Sequence, residues 1–227
     1  MEIMTTSLNL NDRVQANVKD IELWMNQFVE HALFLSQLLD PVKVPGLQEE
    51  TREIHEQLKG LLIIGGVERV AKLLNYLFAL LVTVHNKTDR NINLKISTDD
   101  FHDLVNHMML EQAYFTRLVA GKITIKEEVE FWAEESAGHL TLISHDLPEG
   151  TLKSDIQQLV QFLKSTHDSP NMINRVEQAL EVEATYTQEL LNSVIKGEVK
   201  VDKAMLEHEM RESNWGLYRL KYFISNM

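Results

Sequence analysis

The sequence contains no cysteine, which excludes disulfides, thiol catalysis and thiolate metal sites. Any metal ion must therefore be held by nitrogen and oxygen. Glycine (9) and proline (4) are scarce among the 227 residues, too few for the many turns of a β-sandwich. Long apolar runs are missing as well. The longest, Leu73 to Val84, is interrupted by Asn75, Tyr76 and Thr83 and is too short to span a bilayer. No membrane association is expected. Lys and Arg number 22 against 34 Asp and Glu, a formal charge of −12, and no basic stripe with interleaved aromatics occurs. Nucleic acid is not an expected partner, because phosphate binding needs clustered cations. The stretch Met1–Asn11 lacks a basic start followed by an apolar run, so no signal peptide is expected and the default compartment is the cytoplasm. There is no Gly-rich phosphate loop after a strand and no G-x-S-x-G. The acidity itself reads mostly as a solvated helix surface, and the oligomeric state stays open, a homo-oligomer included.

What remains is a helical chain. Hydrophobic residues make up 44% and charged residues 25% of it, with long runs of Leu, Glu, Gln, Lys, Ala and Met, which favour an all-α fold. Apolar Ile21, Trp24, Phe28, Leu35 and Leu38 recur at three- and four-residue steps and predict a first helix from about Asn11 or Asp12 to Leu39. Asp40-Pro41 and Pro45-Gly46 end it. Further helices are predicted over Leu47–Ile64, broken at Gly65-Gly66, and over Val67–Asn86, followed by a polar loop from Lys87 to Ser97. Thr98-Asp99-Asp100 caps a fourth helix that Gly121 terminates. Thr124-Ile125-Lys126-Glu127 fits a capping box for a fifth, to about Ser144. Then come Thr151–Thr166, a helix opened by Ser169-Pro170 and closed before Gly197, and Lys203–Ile224. The expectation is two tandem four-helix up-and-down bundles, residues 1–123 and 124–227.

The halves resemble each other. Glu22-Leu23-Trp24 with His31 matches Glu130-Phe131-Trp132 with His139, and His107, Met109, Glu111 and Tyr114 match His208, Met210, Glu212 and Trp215. Internal duplication is the reading that explains this. It also isolates the residues that could carry chemistry. In the second half, Glu135 and His139 stand four apart, as do His208 and Glu212, so each pair shares a helix face with Cβ atoms about 6 Å apart. Glu183 lies on the apolar stripe of Val176, Leu180 and Leu190, where an unpaired carboxylate would cost several kcal/mol. Two imidazoles and up to three carboxylates in a bundle core suit iron or manganese, with zinc admissible. The bland alternative is a set of buried ion pairs and hydrogen-bonded core histidines.

The first half keeps His31, His107 and Glu111, but Gln27 replaces Glu135 and Leu74 replaces Glu183. Glu30, about 100° round the helix from His31, could substitute only with rotation. This site is either leaner or no longer binds. Trp24, Trp132, Tyr114 and Trp215 read as core packing. Glu22 and Glu130 face away from their histidines, and His55, His85, His102, His145 and His167 read as ordinary surface or loop histidines.

Glu30-His31-Ala32-Leu33-Phe34-Leu35, Phe131-Trp132 with Gly138-His139, and His208-x-x-Arg211-Glu212-x-Asn214 resemble the Bacillus metalloprotein-like family, a family of tandem four-helix repeats with no established role. The resemblance implies a duplicated bundle with a metal site in each repeat. It supports His31, His107 and Glu111 in the first and His139, His208 and Glu212 in the second; Glu135 and Glu183 rest on the helical-face argument alone. The chain has no Glu-x-x-His, the signature of ferritin-like di-iron bundles, so one ion per site is expected. Oxygen or peroxide chemistry is then conceivable, against a structural or protein-interaction bundle as the alternative.

Overall fold

The computed structural model describes residues 9, 11–40, 42, 45–64, 72, 75–77, 79, 80, 82, 83, 86, 98–167, 169 and 171–226. The fold is all-α. Its described helices are α1 (Val18–Leu38), α2 (Pro45–Ile64), α3 (Thr98–Val119), α4 (Ile125–Asp146), α5 (Thr151–Lys164), α6 (Met172–Ile195) and α7 (Lys203–Ser225). The expected break at Gly65-Gly66, the loop 87–97, Pro41, Leu74, His85, the side chain of Thr98 and Pro170 lie outside the described residues, as does most of the helix expected over Val67–Asn86. The described residues within that last stretch are helical, and Leu77 and Leu80 are buried.

Helix α1 starts later than its apolar spacing predicts. Asn17 caps it: the Asn17 side chain accepts from the N–H groups of Lys19 (2.8 Å) and Asp20 (3.1 Å), and Asp20 accepts from the Asn17 N–H at 2.8 Å. This reciprocal box satisfies the first free amides. The residues read from sequence as the start of α1 do other work. Arg13–Val14 (β1) pairs antiparallel with Ile123–Thr124 (β2), and the Ile125 N–H donates to the Asp12 carbonyl at 2.9 Å. Two residues are too few to show the alternation that marks a strand in a sequence. Pro45 opens α2 instead of closing α1, in the first helical position where its missing N–H is harmless. Helix α6 has Asn171, not Ser169, at its N-cap position, and the Asn171 side chain makes no capping hydrogen bond; the Ser169 carbonyl accepts the Met172 N–H at 3.1 Å.

Other local expectations hold. Thr124 and Glu127 form the capping box of α4. Gly121 (φ 61°) and Gly197 (φ 75°) take the left-handed conformation just past α3 and α6, where side chains are disfavoured. Among the described residues no helix is long and apolar enough to cross a membrane.

The chain divides into two compact units. In the unit of residues 15–122, α1 packs along α2 and touches α3. Its centre is aromatic: Trp24, fully buried, lies 5.6 Å from Tyr114 and 6.3 Å from Phe115 between ring centroids, and Phe28 meets Phe115 edge-on at 5.5 Å. The other unit holds residues from 123 onward together with the described residues up to Val14. Here α4 packs on α5, α6 and α7, and α6 packs on both α5 and α7, a four-helix bundle. Trp132, Leu140, Ile156, Leu163, Val176, Leu180, Leu206 and Leu220 fill its core, each fully buried aliphatic side chain contributing roughly 1.5–3 kcal/mol.

Two details lock α4 to α7. The Trp132 ring lies on the bare backbone of Gly216: a Cβ there would stand 2.7 Å from Cε3 of Trp132 and 3.3 Å from Cδ1 of Leu180. Further along, the buried Arg219 guanidinium donates twice to Glu128, Nε to Oε1 at 2.5 Å and Nη2 to Oε2 at 2.7 Å.

Gly216→Ala gains helix propensity of about 0.5–1 kcal/mol but overpacks Trp132 at a cost of about 1–3 kcal/mol; a net loss of roughly 1–2 kcal/mol in urea unfolding is expected. Arg219→Met strands the Glu128 carboxylate and should cost about 3–5 kcal/mol, whereas the double variant Glu128→Leu/Arg219→Met should recover most of that loss in the same measurement.

Candidate metal centre

In the second unit, one face of α4 carries Trp132, Glu135, Ser136 and His139 into the bundle, the one-face pattern of residues three, four and seven apart. Helix α6 contributes Glu183, fully buried as its place on the apolar stripe predicts. Helix α7 contributes His208 and Glu212. The ligand atoms of Glu135, His139 and Glu212 all lie within 4.8 Å of one another. His139 Nε2 is 3.1 Å from a Glu212 oxygen and 3.8 Å from a Glu135 oxygen, and His208 Nε2 is 3.5 Å from the same Glu212 oxygen. The two imidazoles meet edge-on with centroids 5.8 Å apart.

Glu183 is not part of that close trio. It accepts the hydroxyl of Ser136 and lies against Glu209. Glu209 is the residue that sequence reasoning missed. It is fully buried, contacts Nδ1 of His139, and accepts from Ser213 Oγ at 2.7 Å. The signal was present: Leu206, Glu209, Ser213, Gly216, Leu220 and Phe223 recur at alternating three- and four-residue steps, the spacing of a core stripe. Trp215, read as core, is half-buried and sits 5.0 Å from the exposed Tyr218 ring, because Gly216 takes the core position next to it.

The electrostatics of this cluster are unusual. Four carboxylates (Glu135, Glu183, Glu209, Glu212) and two imidazoles are each at most 2% exposed. Even with both imidazoles protonated, negative charge exceeds positive within the set. Burial pushes the Glu183 carboxyl well above its ordinary value, and the charge of Glu209 and a hydrogen bond to it push further; the Ser136 hydroxyl opposes this, and Glu135 adds to the rise. Glu183 therefore takes up a proton more readily than a solvent-exposed carboxyl does. Donor chemistry of this kind, carboxylate-rich with neutral imidazole, fits a divalent cation.

The first unit gathers a smaller set. One Glu111 oxygen on α3 lies 3.1 Å from Nε2 of His31 on α1, and the other lies 2.9 Å from Nε2 of His107, one turn earlier on α3. All three are buried, as is Gln27 at the position matching Glu135. Phe28 meets His31 edge-on at 6.0 Å. Glu30 is half-buried. Of the remaining histidines, His145 is exposed, His167 stands 3.8 Å from Glu134, and His55 is mostly covered, with Nδ1 2.9 Å from the Val29 carbonyl. Glu22 is exposed and Glu130 pairs with Lys126 at 3.4 Å, away from the cluster. The described residues of this all-α protein thus contain buried His/Glu groups that could bind a metal.

No family model matches the chain, and no curated protein does. Among solved structures, an uncharacterized protein from Bacillus cereus G9241 is similar, with a TM-score of 0.75 over 88% of each chain at 18% identity. At that identity the likeness is one of fold.

A carboxyl with a raised folded-state pKa binds its proton more tightly in the folded protein than in the unfolded chain. Its contribution to stability is therefore lost as pH rises above the ordinary value of 4.5. In chelator-treated protein, Glu183→Gln should be more stable than wild type near neutral pH, and the two should converge as pH falls toward 4.5. Thermal melts across that range check the difference.

Proposed function

We propose that this chain is a metal-binding helical-bundle protein whose buried His/Glu groups hold iron or manganese. In the second repeat His139, His208, Glu212 and Glu135 are the ligands, with Glu183 close behind them. In the first, His31, His107 and Glu111 form the leaner set. The repeats, residues 1–123 and 124–227, descend on this reading from one duplicated unit. The observation that carries it is the surplus of carboxylate in the second unit's core. Four buried carboxylates outnumber the two imidazoles, and burying that much acid is costly. A divalent cation offsets part of that surplus where further protons otherwise must. Imidazoles mixed with carboxylates suit iron or manganese, with zinc admissible. The likeness in fold to an uncharacterized Bacillus protein fits the resemblance of the His31, His139 and His208 motifs to the metalloprotein-like family.

A metal with an open position would supply oxygen or peroxide activation. The chain's own part is to hold the ion in a water-poor core and to offset its charge. The near-complete burial of the ligands, at most 2% exposed in the second unit, favours a second reading in which the ion only stabilises the bundle.

Elemental analysis of protein expressed with iron and manganese available tests the proposal. Wild type should carry stoichiometric iron or manganese, and His208→Ala should lose most of it. His107→Ala reports on the first set: an unchanged metal count assigns all binding to the second. Wild-type protein that emerges without stoichiometric metal sinks the hypothesis. Peroxide consumption by the loaded protein, against none, separates a reactive ion from a structural one.

A further inference from the structure

We propose that Glu209 is the positioning residue of the second-repeat metal set, fixing His139 so that Nε2 is the ligand atom. The inference rests on the metal-binding reading above and adds to it a residue outside the ligand set. The two ring nitrogens of His139 have different neighbours. Nε2 faces Glu212 and Glu135, at 3.1 and 3.8 Å, whereas Nδ1 faces Glu209. An imidazole that binds a metal through one nitrogen keeps a proton on the other, and a carboxylate accepting that N–H fixes both ring orientation and tautomer and raises the basicity of the ligating nitrogen. Glu209 stands where such an acceptor must stand.

It is itself held. Ser213, one turn on along α7, donates to Glu209 Oε1 at 2.7 Å, so one carboxylate oxygen is anchored while the other meets His139. On its far side Glu183, fixed by Ser136, packs against it. A second-layer carboxylate with its own supports leaves little freedom for the imidazole to turn. The first half differs at this point. At the offset of 101 that aligns His107 with His208, Glu209 corresponds to Met108, a buried thioether. Met108 cannot serve His31 as a charged acceptor, so the two metal sets differ in support as well as in ligand number.

The test uses full-length protein with Mn²⁺ and Zn²⁺ as probes. Glu209→Met, which copies the residue of the first half, should weaken Mn²⁺ binding about 10–100-fold in competition with a chelator, and Glu209→Gln, which keeps an acceptor but loses the charge, should fall toward the lower end of that range. In Zn²⁺-loaded wild type the His139 Nδ1–H should be a slowly exchanging proton in NMR spectra, absent from Glu209→Met. A merely structural glutamate would change the melting temperature and leave this proton and the affinity in place. Affinity within threefold of wild type in both variants, with the Nδ1–H retained, overturns the role of Glu209 while the metal reading stands. If wild type binds neither ion, the metal reading itself fails. Should Glu209→Met not fold, Glu209→Gln carries the test alone, since the glutamine is isosteric.

Discussion

Buried negative charge is the constraint on which the second unit turns. Helices α4, α6 and α7 could pack more tightly with leucine where Glu135, Glu183, Glu209 and Glu212 stand. Burial of ions is repaid only by good geometry and partners. The chain meets this with imidazoles between carboxylates, a serine hydroxyl to Glu183, another to Glu209, and a hydrogen bond between that pair. Each device offsets part of the cost of burial without removing the charge. On the metal-binding reading proposed above, that charge has a use.

The surrounding packing holds that cluster at fixed spacing. Trp132 seats on the backbone of Gly216, and one turn further along α7 Arg219 grips Glu128 of α4 through two hydrogen bonds. Both contacts join the two helices that carry His139, His208 and Glu212. A bidentate guanidinium pair fixes direction as well as distance, so the helix carrying His139 resists sliding along the helix carrying Glu212. The route from sequence to site runs through these contacts, since i,i+4 spacing places two ligands on one helix but not a third from another.

The two halves differ in the charged groups they bury. His31, His107 and Glu111 keep the imidazole–carboxylate motif, with one carboxylate between two rings. Gln27 and Met108 replace the charged groups that Glu135 and Glu209 supply in the other half. An amide and a thioether are far less costly to bury than carboxylates. The first unit centres on an aromatic cluster of Trp24, Phe28, Tyr114 and Phe115, in which Phe28 also meets His31.

The all-α class, the capping box at Thr124, the glycine stops at Gly121 and Gly197, and the burial of Glu183 were legible from the chain alone. These depend on interactions within a few residues, or on a one-dimensional period, and such rules read directly from sequence. The i,i+4 pairs of the candidate site were legible for the same reason. Tertiary structure decided the rest. Only the pairing of Arg13–Val14 with Ile123–Thr124 explains why α1 waits for Asn17, because a strand partner more than a hundred residues away leaves no local trace. Only packing across α4 and α7 revealed that Glu209, on a stripe that looked ordinary, stands at Nδ1 of His139, and that Trp215 yields the core to Gly216. Contacts between helices depend on which faces meet, and no local period fixes that.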